Sequence, residues 1–375
     1  MVSDTKNISV CLIGDPSSEK FNSMEIYETE LSGSLAGITG IKTLRHHWPK
    51  ISGSAKNRYL SVLQGYWDRH WRYPTLLKPP SADLYHILDH SYAHLLSRLP
   101  PERTVITCHD IIPLMVEGYE ESLGGKLSLV SFRHSVSYLV KVRHIIADSG
   151  ATKKALINIL GLADKKITVV PLGVDKSFCP GKTPPKPSKP SRVKYILQVG
   201  ATAEPYKNTM NILRSFSLLL KNKGGHIKLL KVGKPYNREQ QDYIEHEGLS
   251  PHIQYLGFVE REALPVVFRQ ASVLLMPSLY EGFGMPLLEA MACGVPVVTS
   301  CRGSIPEVAG DAVCYANPDD PRDIAAVVDR VLFDERLQSD LSARGVKRAT
   351  GYTWQATAQL TVKVYRELGV RDNGQ

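Results

Sequence analysis

The sequence predicts two doubly wound α/β domains in tandem that face each other across a cleft, and three observations lead to this fold class. Short apolar runs alternate with longer segments of helical periodicity, a pattern that implies parallel sheets covered by helices on both faces. A proline-rich stretch at 180–192 interrupts the alternation, which then restarts. In such sheets ligands bind beyond the carboxyl ends of the strands, so functional residues are expected in the loops that follow strands.

The domain boundaries follow from the proline-rich stretch. Its five prolines exclude a helix interior or a central strand, so we interpret 180–192 as a stiff, solvated spacer. A long surface loop within one domain is the alternative. The predicted organisation is an N-terminal Rossmann-like domain at 1–179, a C-terminal Rossmann-like domain at 193–353 and a final helix within 354–375.

The individual elements are predicted in chain order from apolar patterning. In the first domain, strands are predicted at 8–14, 83–87, 104–108, 144–148 and 167–170, with helices at 24–36 and 151–160. In the second domain, strands are predicted at 195–200, 227–233, 253–256, 273–277 and 295–300. Helices are predicted between them at 208–222, 237–247, 261–270 and 286–292, and a last one at 354–368.

The composition is typical of a globular protein with a basic surface. Hydrophobic residues make up 43% and charged residues 22% of the 375 residues. Six cysteines without C-x-x-C or zinc spacing favour reduced thiols in a cytosolic protein. We expect neither a secretory signal nor a membrane span, and hence a cytoplasmic location. The formal net charge of +9 predicts an anionic partner: a nucleotide phosphate, a membrane surface or nucleic acid.

The segment 273–298, VLLMPSLYEGFGMPLLEAMACGVPVV, carries the most chemical information. It predicts a buried strand, a glycine-containing loop, a helix and the next strand. The glycines allow a close backbone approach to a ligand, and the free N–H groups at the helix start favour a phosphate or a polar sugar. Glu281 in the loop and Glu289 one turn inside the helix are therefore candidates to bind two parts of one ligand. For either glutamate alone, a solvated surface position is the alternative.

From Pro277 to Val298 the chain resembles the signature of the family-4 retaining glycosyltransferases, P-S-x-x-E-G-F-G-x-P-x-x-E-A-M-A-x-G-x-P-V-V. The segment RGSIPEV at 302–308 also resembles a turn of that family. The resemblance implies the GT-B fold and transfer of a hexosyl unit, with retention, from a nucleotide diphospho-sugar. It places the acceptor side in the N-terminal domain and the nucleotide-sugar in the C-terminal domain. The final helix would cross back to the N-terminal domain.

The same resemblance implies the donor-binding residues. Glu289 would hold the ribose of the nucleotide, and Glu281 would lie near the transferred sugar as a catalytic residue. The backbone at the start of the helix would contact the sugar and its phosphate, through Gly282, Phe283, Gly284 and Met285. A second segment, 197–208, resembles the family pattern V-G-x-x-x-x-R-K-N, with Gly200 in the loop and Lys207 on the diphosphate. Tyr206 stands where the family usually has arginine, so another cation substitutes or donor affinity is reduced.

The first domain carries a third matching segment, T-C-H-D-I-I-P-L at 107–114. The resemblance implies that His109 lies near the hydroxyls and the anomeric centre of the sugar, and that Asp110 orients its loop. The family's Gly-Gly loop after the first strand is absent, because Ser23 and Met24 stand roughly where the glycines would be. These two residues and Asp110 are our acceptor-side candidates.

The resemblance further implies no cofactor and no essential metal, and we find no D-x-D or other convincing metal motif. GDP-mannose and UDP-glucose are both candidate donors, and the H-D-x-x-P-L segment favours mannose and hence polysaccharide biosynthesis. The acceptor would be a glycan or a lipid-linked glycan. Basic and aromatic residues at 46–78 predict peripheral contact with the inner face of a membrane. The alternative there is a basic surface whose aromatics lie partly in the core.

Of three further readings, one remains open. Nucleic acid is not an expected partner, because no nucleic-acid-binding module is visible. A different sugar-nucleotide enzyme of this fold, such as an epimerase, does not fit the E-G-F-G segment. The chain could instead be a catalytically degenerate sugar-nucleotide-binding protein, an alternative prompted by Tyr206 and by the absent glycine loop.

Overall fold

The computed structural model describes residues 7–16, 22–49, 64–116, 123–181 and 193–369. Most of the predicted spacer, at 182–192, and part of the basic aromatic segment, at 50–63, lie outside the described residues. The chain divides into two compact units. The first is drawn from Met1–Gly173 and Trp354–Gln375, and the second from Val174–Thr353.

The first unit contains a six-stranded sheet in which every pairing is parallel. Its strands are β1 (Ile8–Ile13), β2 (Ile41–Arg45), β3 (Leu84–Ile87), β4 (Thr104–Cys108), β5 (His144–Ala147) and β6 (Ile167–Val169). The order across the sheet is β2-β1-β3-β4-β5-β6. Strands β3 and β4 are buried along their whole length, which is why they appear in the sequence as short, mostly apolar runs.

Helices cover this sheet and connect its strands. They are α1 (Asn22–Leu35), the short α2 (Tyr73–Leu76) that follows a π-helical turn at Asp68–Arg72, α3 (Leu123–Ser137) and α4 (Gly150–Leu160). Helix α4 shows why its bounds could be predicted. Ser149 accepts a hydrogen bond from the backbone N–H of Thr152 at its start, and Gly161 adopts a left-handed conformation (φ 66°) at its end.

The second unit repeats this architecture with a second parallel sheet. Its strands are β7 (Lys194–Val199), β8 (Ile227–Val232), β9 (Ile253–Gly257), β10 (Val273–Met276), β11 (Val297–Thr299) and β12 (Cys314–Tyr315). Its helices are α5 (Thr209–Lys223), α6 (Arg238–His246), α7 (Leu264–Gln270), α8 (Met285–Ala292), α9 (Ile305–Ala309), α10 (Pro321–Phe333) and α11 (Glu335–Ala349). The strand order is β12-β11-β10-β7-β8-β9.

This order fixes where the second unit presents its loops. The chain builds outward from β7 to β9 and then reverses to β10 on the other side of β7. The loops after β7 and β10 therefore leave the sheet next to each other, which is the place where parallel α/β sheets bind ligands. The prediction of two Rossmann-like α/β domains is confirmed.

The final helix α12 (Trp354–Gly369) belongs to the first unit. Thr357 Oγ1 donates to the carbonyl of Pro171 (2.8 Å), and the hydroxyl of Tyr365 lies 2.6 Å from Nδ1 of His86 in β3. Tyr365 is fully buried, so this contact ties the end of the chain to the centre of the first sheet. None of the helices in the described ranges is both long and apolar enough to span a bilayer.

Candidate functional site

Glu281 lies in the loop that follows β10, and three hydrogen bonds hold its carboxylate. Lys207 Nζ donates to both carboxylate oxygens, at 2.8 and 3.0 Å, and Ser278 Oγ donates to Oε1 at 2.7 Å. The residue is only 6% exposed. A buried carboxylate that accepts hydrogen bonds from a lysine and a hydroxyl is held in a fixed orientation. The structure therefore joins two of the residues predicted from separate motifs, Lys207 and Glu281.

The position of Lys207 depends on the residue after it. Asn208 adopts a left-handed backbone (φ 57°), which asparagine tolerates better than most residues. Its buried side-chain amide donates to the carbonyls of Pro277 (3.0 Å) and Pro318 (2.7 Å). Asn208 thus fastens the loop after β7 to the end of β10, and this brings Lys207 to Glu281. The ring of Tyr206 has its centroid 5.0 Å from the Lys207 ammonium.

The turn at Gly303 and Ser304 packs against the backbone of Glu281 and fixes its position. The N–H and the hydroxyl of Ser304 both donate to the carbonyl of Glu281, at 3.2 and 3.1 Å. A Cβ at Gly303 would lie 2.7 Å from that carbonyl oxygen and 2.8 Å from the Glu281 nitrogen. Only glycine fits there, which gives the RGSIPEV segment a structural role in orienting Glu281.

Helix α8 begins directly after the glycine-containing loop. Gly284 precedes it with a left-handed backbone (φ 95°), and Pro286 occupies its first turn. The ring of Phe283 is buried and packs edge-on against Tyr352, with centroids 5.9 Å apart. The predicted donor residues Gly282, Phe283, Gly284 and Met285 therefore form a rigid entry to the helix, whose N-terminal end suits an anion or a polar hydroxyl.

Glu289 lies in α8 and is paired with an arginine that the sequence reasoning missed. Arg261 Nη1 donates to Glu289 Oε1 at 3.2 Å, and the Arg261 guanidinium lies 5.3 Å from the ring centroid of Phe178. Burial raises the pKa of Glu289 to about 7, although Arg261 opposes the shift and Asp175 adds to it. The second oxygen of Glu289 accepts no hydrogen bond from the described residues, and the buried Nη2 of Arg261 has no partner among them. This pair therefore has spare capacity for a ligand.

Gly200 follows β7 and has a positive φ of 112°. Its N–H donates to the carbonyl of Val232, and its own carbonyl accepts a hydrogen bond from Lys231 Nζ at 2.7 Å. Lys231 is the second residue that the sequence reasoning missed. The available signal was a lysine near the carboxyl end of the apolar run 227–232.

In the first unit, His109 follows β4 and is buried with both ring nitrogens occupied. Nδ1 lies 2.6 Å from Asp148 Oδ2, and Nε2 lies 2.9 Å from the carbonyl of Leu88. Because both partners are acceptors, the imidazole donates through both nitrogens and is positively charged. Burial opposes the charge, but Asp148 outweighs it and raises the pKa of His109 to about 9. The structure thus adds Asp148 to the predicted histidine.

The acceptor-side candidates lie apart along the first unit. Ser23 and Met24 are in the first turn of α1, where Ser23 is exposed and Met24 half-buried. Asp110 Oδ1 accepts a hydrogen bond from the Ile112 N–H (3.0 Å), a contact within its own loop. No contact joins Ser23 or Met24 to Asp110 in the described part of the chain. Their role as acceptor residues stays a prediction.

The basic aromatic segment 46–78 is partly core and partly surface. Tyr73 is buried, and Trp48 is half-buried with its indole N–H donating to the carbonyl of Gly14 (2.8 Å). Trp67 and Trp71 are 59% and 48% exposed and stack with centroids 5.1 Å apart. Of Trp48, Trp67, Trp71 and Tyr73, the four aromatics on which the prediction of membrane contact rests, Trp67 and Trp71 alone present a substantial apolar surface within the described residues.

Among the described residues, no group of three or more His, Cys, Asp or Glu side chains is arranged to hold a metal ion. The charged groups at the strand ends of the second unit are instead paired with each other, as Lys207 with Glu281 and Arg261 with Glu289. The arrangement offers carboxylates to hydroxyl donors and cations to phosphate oxygens.

Known proteins match both halves of the chain. Residues 181–348 match the family described as glycosyl transferases group 1, and residues 42–178 match glycosyltransferase family 4. Among solved structures, the chain superposes on sucrose-phosphate synthase from Thermosynechococcus elongatus with a TM-score of 0.72 and 18% identity, over 97% of this chain and 100% of that one. It superposes on Anabaena HepE in complex with UDP-glucose with a TM-score of 0.68 and 16% identity, over 96% and 100%.

Two Rossmann-like units with this loop and helix define the class, a glycosyltransferase of the GT-B fold. O-antigen chain mannosyltransferase B of Escherichia coli is 31% identical over 278 residues, which are 71% of each chain. The chain belongs to the family-4, group 1 glycosyltransferases. Serotype-specific mannosyltransferase WbdA of Escherichia coli is 28% identical over 72% of this chain, but the match spans only 34% of its own length.

Proposed function

We propose that this glycosyltransferase moves a hexosyl unit, with mannosyl as the first candidate, from a nucleotide diphospho-sugar to a glycan or lipid-linked acceptor with retention of configuration. The observation that carries the proposal is the buried Glu281 carboxylate, which Lys207 and Ser278 hold at the carboxyl end of β10 beside the start of α8. The mannosyltransferase relatives support the choice of mannose. The neighbour solved with UDP-glucose supports a nucleotide-sugar donor.

Each group at this site has a chemical task in the proposed reaction. The oxygen of an acceptor hydroxyl forms a bond to C1 of the sugar as the bond from C1 to the diphosphate breaks. The nucleoside diphosphate leaves with the bonding electrons, gains negative charge as the bond breaks, and takes up the proton that the acceptor hydroxyl loses. Lys207 and the N-terminal end of α8 would stabilise that charge, and Glu281 would orient the sugar through its hydroxyls. Glu289 would accept hydrogen bonds from the ribose diol, because its second oxygen is uncommitted among the described residues.

We propose that His109 contacts the sugar. Its existing hydrogen bonds restrict how it can do so. Nε2 already donates to the carbonyl of Leu88, so a sugar hydroxyl must displace that contact or share it. The positive charge stabilised by Asp148 would make His109 a strong hydrogen-bond donor at neutral pH.

We propose that protein cations rather than a metal ion neutralise the diphosphate. Lys207 and the N–H groups at the start of α8 support this. Turnover that persists in EDTA would agree with the proposal, and turnover that requires added Mg²⁺ or Mn²⁺ would contradict it.

The test of the main proposal is donor turnover. The purified protein is incubated with GDP-mannose or UDP-glucose, and release of the nucleoside diphosphate is measured with and without glycan acceptors. NMR of the product then gives the anomeric configuration, which should match that of the donor. An inverted product would contradict retention. Binding of nucleoside diphosphates without any turnover would favour the alternative of a degenerate sugar-nucleotide-binding protein, which Tyr206 and the absent glycine loop motivate.

We also propose that the first unit contacts a membrane that carries the acceptor, which would place the protein at the inner face of that membrane. The exposed, stacked rings of Trp67 and Trp71 and the adjacent Arg69 and Arg72 support contact with anionic lipid. Co-sedimentation with phosphatidylglycerol vesicles should fall when both tryptophans are replaced by alanine. If the variant sedimented with the vesicles as fully as the wild type, the proposed membrane contact would be contradicted.

A further inference from the structure

Lys231 is a buried cation without a counterion in the described part of the chain. It lies in β8 and is 0% exposed. Its ammonium donates to the carbonyls of Gly200 (2.7 Å) and Val232 (2.6 Å). An ammonium has three donors, and no described residue accepts the third hydrogen bond or forms an ion pair with it. Burial of an unpaired charge is strongly unfavourable, so a purely structural position would favour an apolar residue.

The ammonium lies at the base of the loop that leads to Lys207. Gly200 directly follows β7 and opens that loop. Gly233 packs closely against the carbonyl of Gly200, because a Cβ at Gly233 would lie 2.7 Å from that oxygen. The hydrogen bond from Lys231 and the close approach of Gly233 therefore both restrict the position of the Gly200 carbonyl.

The charge balance at the strand ends of the second unit makes Lys231 distinctive. Lys207 is neutralised by Glu281, and Arg261 is neutralised by Glu289. An incoming nucleoside diphosphate carries at least two negative charges at neutral pH. Lys231 is a fully buried cation that the described residues leave unneutralised beside this loop, and its charge acts over several ångströms in a region of low dielectric constant.

We propose that Lys231 is a positioning residue of the donor site, which fixes the Gly200 turn and supplies the positive charge that compensates the donor diphosphate. This inference rests on the proposed function, because it requires that a nucleoside diphosphate binds at the ends of β7 and β10.

The neighbours of Lys231 give the proposal a pH signature. Burial lowers the pKa of Lys231 to about 8. In the register of the sheet, its neighbours are Gln198 on β7 and Tyr255 on β9, and Gln198 accepts a hydrogen bond from Tyr236. The titratable side chains on or next to these neighbours are therefore Tyr255 and Tyr236. Burial raises the pKa of Tyr236 above the ordinary value for tyrosine. A bound diphosphate would favour the charged ammonium, so nucleotide affinity should decline as the pH rises above about 8.

The first experiment measures binding by calorimetry at pH 7 for a graded set of ligands. The nucleoside is chosen as the one of uridine, guanosine or adenosine whose diphosphate binds the wild type. The ligands are that nucleoside, its monophosphate and its diphosphate. Lys231→Met should lower the affinity for the diphosphate by about tenfold or more. It should lower the affinity for the monophosphate less and leave the affinity for the nucleoside unchanged. Lys228→Met is the matched control, because Lys228 lies in the same strand at its amino end and on the opposite face.

The second experiment follows diphosphate affinity from pH 7 to pH 10. The wild type should lose affinity above about pH 8, and Lys231→Arg should retain it, because arginine stays charged. The wild-type profile needs no variant, so it stands even if Lys231→Met folds poorly. An equal loss for nucleoside and diphosphate, or an unchanged profile in Lys231→Met, overturns the inference and leaves the proposed function intact. A wild type that binds none of the three diphosphates overturns both.

Discussion

The hydrogen-bond network around His109 and His86 in the first unit and the charged groups near the strand ends of the second unit differ in how completely they are satisfied. In the first unit, His109 and His86 each use both ring nitrogens in hydrogen bonds to buried partners, although Asp148 Oδ1 after β5 and His46 Nε2 after β2 are buried without a hydrogen-bond partner among the described residues. In the second unit, Glu289 and Arg261 keep an uncommitted oxygen and nitrogen, and Lys231 keeps a third donor. The first network mainly holds its sheet together, whereas the second retains capacity to bind an anionic, hydroxyl-rich ligand.

The largest expected effect tests the second unit. Glu281→Ala should lower kcat by about a hundredfold or more, because it removes a preorganised carboxylate and leaves Lys207 without its partner. Release of nucleoside diphosphate from the donor is the measurement. Glu262→Ala is the matched control, since Glu262 is exposed in the same unit. Normal turnover by both Glu281→Ala and Glu289→Ala would remove the basis for the proposed function.

The second effect tests the first unit through its stability. The pKa of His109 is raised to about 9 from an unfolded value near 6.5, so protonation of His109 favours the folded state. This contribution of about 3 kcal/mol is fully present below pH 6.5 and is lost as the pH rises to about 9. The free energy of unfolding in urea, measured at intervals across that window, should fall accordingly.

Asp148→Asn should remove this pH dependence and destabilise the protein by about 3 kcal/mol, because a buried partner of the imidazolium is lost. Asp164→Asn is the control, since Asp164 forms its ion pair with Lys153 at the surface. A wild-type stability that is flat between pH 6.5 and pH 9 would show that His109 is neutral in the folded state. It would then also be free to accept a proton in catalysis.

The third effect concerns the pH dependence of nucleotide binding at Glu289. Its pKa of about 7 means that the carboxyl group is mostly protonated below neutral pH. In that form it accepts hydrogen bonds from the ribose diol less well. Affinity for the nucleoside diphosphate should therefore fall by about tenfold from pH 8 to pH 6 through this group. Glu289→Gln should lack that component, so the difference between the two binding profiles isolates it from titration of the phosphate. Parallel profiles would place Glu289 outside the nucleotide site.

The sequence predicted most of the fold because buried parallel strands are continuous apolar runs. The strand predicted at 104–108 coincides with β4, and the helix predicted at 151–160 differs from α4 by one residue. Strand β2 was missed because it is an edge strand with exposed Lys42 and Arg45, which break the apolar pattern. Helices α3, α10 and α11 were not predicted either, although Asp320 and Asp334 cap the starts of the last two.

The site was predicted as a set of residues but not as a set of contacts. The resemblance to the family motifs identified Lys207, Glu281 and Glu289 as candidates, yet the ion pair of the first two joins residues 74 positions apart and is visible only in the fold. Arg261 was missed because nothing local marks it, and Lys231 was missed because a lysine near the end of an apolar run is a weak signal. A lysine near a strand end is usually exposed, and only the register against Gln198 and the turn at Gly200 shows that this one is buried.

The smallest expected effect refines the contrast between the units at Arg261. Its guanidinium opposes the rise in the pKa of Glu289, so Arg261→Met should raise that pKa further. At pH 8.5 nucleotide affinity should change by less than about threefold, because most of the carboxyl group remains ionised. The midpoint of the pH profile, however, should move upward, whereas Arg238→Met, at an exposed position in α6, should leave it in place. A midpoint that stays at its wild-type value would mean that Arg261 leaves Glu289 when nucleotide binds. The uncommitted Nη2 would then indicate that the guanidinium turns toward the ligand.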